Sequence, residues 1–143
     1  HSFPTRRSSD LDRESAEAIG RIASIRGVNL AETDVTVDVL AELAKNKRLE
    51  GLGLDNTDVT DSAMVALRQM RGLRHLTVDG TSITAEGLRQ LAGELPLKQL
   101  SLRDCRLGED AVEVLAGFES LEEIDLSGTD VSQDEQERLL RRP

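Results

Sequence analysis

The chain has 143 residues, a formal net charge of −9, 38% hydrophobic and 31% charged residues, which suits one soluble domain with a narrow apolar core. No stretch approaches the roughly 18 to 20 apolar residues that a membrane span needs. Acidity of this size repels phosphate backbones and argues against nucleic-acid binding, and a single cysteine leaves no internal disulfide.

Residues 1–11, HSFPTRRSSDL, resemble at every position the translation of a common sequencing adapter, so they are expected to be disordered read-through outside the fold. Residues 12–24 place Ala16, Ile19 and Ile22 at helical spacing. Two readings stand side by side: the back half of a partial repeat, or an N-terminal capping helix. On the first, the chain is a piece of a longer solenoid.

From Ile25 onward the sequence divides into 25–48, 49–72, 73–96, 97–120 and 121–143. Ile25, Leu49, Leu73, Leu97 and Leu121 open these units at a strict interval of 24 residues. Position 4 is Val28, Leu52, Leu76, Leu100 and Ile124, and position 6 is Leu30, Leu54, Val78, Leu102 and Leu126. Apolar residues two apart share one face of a strand. Position 11 is Val35, Val59, Ile83, Leu107 and Val131, followed at position 12 by Thr36, Thr60, Thr84, Gly108 and Ser132, which are residues suited to capping a helix. Leu40, Met64, Leu88 and Val112 then precede Leu43, Leu67, Leu91 and Leu115 by three, the spacing of one helix face.

Each unit is thus strand, turn and short helix, and the pattern L-x-x-L-x-L-x-x-T-x-V resembles the leucine-rich repeat of the 24-residue kind. The wording at Thr57 to Met64 is similar to the variety found in bacterial repeat proteins, planctomycetes among them. The resemblance implies an α/β solenoid: a parallel β-sheet on the concave face and short helices on the convex face. Such scaffolds host many functions, so the function has to be sought in a site.

Cys105 stands at position 9, where the other units carry Thr33, Thr57, Thr81 and Thr129, and it is expected to be a packed, unreactive residue. Ser132 and Glu135 have the spacing of a capping box, with Glu135 expected to return a bond to the Ser132 amide. Gln136 stands where the other units have Leu, Met or Val, as suits a terminal helix.

Positions 3, 5 and 7 leave the strands on the concave side, and strands about 4.8 Å apart join them into one grid. Its first two units are small and nearly featureless. His75, Asp79, Arg103 and Asp125, with Asp55 and Asp104 at the rim, form the candidate protein-binding patch. Asp55, Asp79 and Asp58 offer too few carboxylates for calcium, and His75 has no nucleophile and orienting group at a catalytic spacing. No catalytic, cofactor-binding or metal-ligating residue is therefore assigned, and no cofactor is expected.

The reading that follows is a non-catalytic scaffold that binds a protein through its concave sheet. The alternative is a regulatory or substrate-receptor segment of a larger protein, such as a ubiquitin-ligase adaptor or a kinase-associated unit. Oligomeric state and compartment stay open, with the cytoplasm as the default.

Overall fold

A computed structural model describes residues 25–140; both expectations for the segment before Ile25, the adapter and the half repeat or cap, lie outside the described residues. The five units build the expected solenoid. Strands β1 (Gly27–Asn29), β2 (Gly51–Gly53), β3 (His75–Thr77), β4 (Gln99–Ser101) and β5 (Glu123–Asp125) form one parallel sheet in chain order. Each residue pairs with its equivalent 24 positions later, as Leu52 with Leu76 and Leu76 with Leu100. Between the strands lie α1 (Val37–Leu43), a 3-10 turn (Asp61–Ala63) running into α2 (Met64–Leu67), then α3 (Ala85–Arg89), α4 (Ala111–Leu115) and finally α5 (Gln133–Leu140).

The apolar columns close between sheet and helices. Leu54, Val78 and Leu102, each one residue past a strand, share the core with Leu43, Leu67, Leu91 and Leu115 from the helical side, all at 0% exposure. Burial relaxes at the outer units, where Val28 and Ile124 are only partly covered. A repeat stack gains its stability from each unit's neighbours, so this gradient is also an energetic one.

Position 9 performs as its chemistry suggests. The hydroxyls of Thr33, Thr57, Thr81 and Thr129 each donate to the carbonyl three residues back, at 2.6 to 2.7 Å. Cys105 is fully buried. Its Sγ reaches instead to the Val78 carbonyl of the preceding unit at 3.2 Å, with Thr81 Oγ1 3.7 Å away. The thiol is a packed member of the column.

Position 8 forms a second column that the hydrophobic pattern does not reveal. Glu32, Asn56, Gly80, Asp104 and Gly128 all adopt a left-handed backbone, with φ of 61°, 55°, 68°, 61° and 74°. That twist turns the position-8 amide toward the next unit: Asn56 N donates to Asp79 O, and Gly80 N to Arg103 O, each at 2.8 Å. Glycine, asparagine and aspartate tolerate this region best. They also alternate, so that the Asn56 side chain lies over Gly80 and that of Asp104 over Gly128, where a Cβ would collide with them.

The helix starts depart in part from expectation. Thr36 caps α1, accepting from the Val39 amide at 3.2 Å. Thr84 makes no cap bond of its own; the Asp61 carboxylate of the preceding unit takes both its amide and its hydroxyl. Gly108 is no cap at all: α4 begins three residues later, with Asp110 before it, because Gly108 carries a φ of +95°. At Ser132 the box is half formed. Its hydroxyl accepts from the Glu135 amide at 3.2 Å and is bonded at 3.0 Å to Glu135 Oε1, which does not bind the Ser132 amide. Gln136, half-buried, closes the last unit by donating to the Val131 carbonyl at 3.0 Å.

Candidate functional site

The strands are three residues long, so each presents only its first and third side chains to the concave face. In β1 and β2 these are Gly27, Asn29, Gly51 and Gly53, nearly bare backbone. In β3, β4 and β5 they become His75 and Thr77, Gln99 and Ser101, Glu123 and Asp125. These six surround an open hollow of about 280 Å³ floored by Leu76, Leu100 and Ile124. Within the strands, the concave face therefore carries its larger polar side chains mainly over the last three units.

The hollow does not collect all the residues singled out in advance. His75 and Asp125 line it at opposite sides, whereas Asp55, Asp79, Arg103 and Asp104 lie outside it, beyond the strand ends. Gln99 and Glu123 belong to the site although they were not singled out; they share the register of His75, which is the signal that could have found them. Gln99 Nε2 donates to Glu123 Oε2 at 2.9 Å. Arg103 Nε lies 3.8 Å from Asp125 Oδ2, joining the row beyond the strands to the hollow.

Asp55 and Asp79 have a different employment. Asp55 Oδ1 accepts the Asp79 amide at 2.9 Å, and Asp79 Oδ1 accepts the Arg103 amide at 2.8 Å along with the Ser101 hydroxyl. Each carboxylate therefore satisfies a backbone donor just past the next strand. In the outer units the same amide is served locally: Asn29 Oδ1 takes Ala31 N, and Asp125 Oδ1 takes Ser127 N, both at 3.0 Å. Where position 5 is Thr77 or Ser101, the preceding unit instead supplies an aspartate for the amides at positions 79 and 103. Asp104 is exposed, held in its turn by the left-handed backbone and an amide bond to Ser127 O at 2.9 Å.

Two carboxyl groups sit below the usual carboxylate range. For Asp125 the main cause is the hydrogen bond from the Ser127 side chain, then that from its amide, with Arg103 adding to both against slight burial. For Asp130 burial is the largest single influence and pushes upward, but the amides of Leu107, Gly108 and Asp130 itself, with Arg106, together outweigh it. A native pKa below the unfolded one means that the unfolded chain binds protons first. The stability these groups contribute is complete above the ordinary carboxylate pKa of about 4 and is lost as pH falls through their lowered native values. Thermal midpoints measured from pH 7 to pH 3 should accordingly hold steady and then decline. Asp130→Asn should flatten the decline, and an unaltered acid limb in that variant would remove Asp130 from the account.

No protein-family model and no curated protein sequence matches the chain. Solved structures do. The C-terminal domain of a tropomodulin from Caenorhabditis elegans superposes with a TM-score of 0.70 at 22% identity, covering 92% of this chain and 93% of that one. The actin-binding site 2 of leiomodin-1 gives 0.69 at 18% identity, covering 90% and 87%. An internalin from Listeria monocytogenes gives 0.52 at 18% identity over 87% of this chain, which spans about half (48%) of the internalin. Identities this low show the fold alone. Together with the five units in 24-residue register, they define the chain as a solenoid of the leucine-rich-repeat type.

Proposed function

We propose that this chain is a non-catalytic protein-binding scaffold whose partner seats on the concave face of β3, β4 and β5. The observation that carries the reading is the hollow ringed by His75, Thr77, Gln99, Ser101, Glu123 and Asp125. It sits on a continuous hydrogen-bonded parallel sheet whose other two strands present little more than backbone. Polar groups on a preorganised surface lose little freedom when a partner binds. With Glu123 and Asp125 at one side and Arg103 3.8 Å from Asp125, the surface favours a partner bearing basic and hydrogen-bonding side chains, through charge complementarity that sets orientation and on-rate. The structural likeness to an actin-binding site of leiomodin-1 supports a protein, in place of a small molecule, as the ligand.

The test is an affinity capture with the wild-type chain beside a variant carrying His75→Ala, Arg103→Ala, Glu123→Gln and Asp125→Asn. The last change removes charge but keeps an acceptor for the Ser127 amide. Asp55 and Asp79 are left intact because their carboxylates hold neighbouring units together. Recovery of specific partners should fall about tenfold or more, the equivalent of about 1.4 kcal/mol, with the thermal melt still a single cooperative transition, lowered only by the small contribution of the Asp125 charge. Equal recovery by both baits would rule out the concave site.

A further inference from the structure

On the convex face the repeat register exposes an irregularity. Position 13 is Asp61, Ala85, Glu109 and Gln133 in the last four units but Val37 in the first, and position 17 is Arg89, Glu113 and Glu137 in the last three but Val65 in the second. Val37 and Val65 are the two large hydrophobic residues left exposed among the described residues, at 41% and 63%. Elsewhere this surface carries ion pairs, such as Arg89 with Glu86 at 3.2 Å and with Asp110 at 3.4 Å. Here it carries an open groove of about 420 Å³ between α1 and α2, with Val37, Ala41, Val65 and Ala66 along it and Lys45 and Lys47 at its end.

The rim is as unusual as the floor. The run Lys45, Asn46, Lys47, Arg48 holds three cations in four residues of a chain whose net charge is −9. Lys45 bonds Glu42 at 2.8 Å while keeping its side chain 68% exposed, and Lys47 Nζ reaches the Gln69 carbonyl at 3.3 Å. An apolar trough ending in cations complements a ligand with an apolar ridge and acidic flanks. The convex side has no strand edge here, so an extended segment would find no backbone partners, whereas a helix brings its own hydrogen bonds satisfied. Ridges at helical spacing fit between two helices.

We propose that the α1–α2 groove is a second docking site, independent of the concave face, for an acidic amphipathic helix of a partner protein. The probes are synthetic peptides of about 16 residues, long enough to hold helical structure, with leucines spaced along one face and Glu, Gln or Lys on the flanks. Binding to the full chain is followed by fluorescence anisotropy and by amide shifts in nuclear magnetic resonance spectra. The Glu-flanked peptide should bind with shifts at Ala41, Val65, Ala66 and Gln69, and about tenfold more tightly than its Gln counterpart. Val65→Glu should abolish that binding without unfolding the chain, since Glu113 and Glu137 occupy the same register. Lys45→Glu with Lys47→Glu should reverse the ranking in favour of the Lys-flanked peptide. The proposal is overturned if no peptide binds, if shifts fall on β3–β5, if Val65→Glu binds as well as wild type, or if sedimentation shows a dimer that Val65→Glu dissolves, which would make a second copy the occupant.

Discussion

Leu76→Ala is expected to cost about 2–5 kcal/mol of stability, and to lie near the top of that range. Leu76 has 0% exposure and pairs on one side with Leu52 and on the other with Leu100, both buried. Removing it opens a cavity that two unit interfaces share, and a solenoid has no other source of long-range support. Ile124 holds the same position in the last unit, where among the described residues only Leu100 pairs with it, and it is half-buried. Ile124→Ala should therefore cost clearly less. Urea titrations of both variants, followed by far-ultraviolet circular dichroism, check the order. Equal losses would mean that position along the stack does not govern stability.

How much of this was legible beforehand depended on the distance over which each feature is determined. The strands, their 24-residue register and the buried columns all follow from period and hydrophobic spacing, which are local to one unit and then repeated. The cap at unit four was misplaced because the period cannot distinguish a cap at Gly108 from one two residues later at Asp110; the left-handed φ at Gly108 decides it. Asp55 and Asp79 were placed in the binding patch for a related reason. Alternation states which face a side chain leaves from, but the amides they accept belong to the next unit. Gln99 and Glu123 were visible in the right column but lacked a conspicuous charge pattern until the hollow between β3 and β5 joined them. The left-handed column at position 8 was concealed by Glu32, an uncommon residue for that conformation; the other four members have the expected chemistry.

That column carries the second large effect. Gly80→Val should destabilise the chain by about 2–3 kcal/mol, of which about 1–2 kcal/mol is the left-handed backbone penalty of an L-residue and the remainder the displacement of Asn56. Gly80 has a φ of +68°, and its missing Cβ is the space into which the Asn56 amide projects. Because Gly80 N also donates to Arg103 O at 2.8 Å, the backbone cannot relax out of this region without releasing a bond between units three and four. The two contributions separate in a double-mutant cycle with Asn56→Gly. Asn56→Gly alone should cost little, since glycine accepts the same φ, and in its background Gly80→Val should lose the collision but keep the backbone penalty. A full, undiminished cost in the Asn56→Gly background would show that the alternation of large and absent side chains along position 8 does not matter. A partial rescue would identify it as the device that lets the last four left-handed turns, Asn56 to Gly128, stack at a single-repeat spacing.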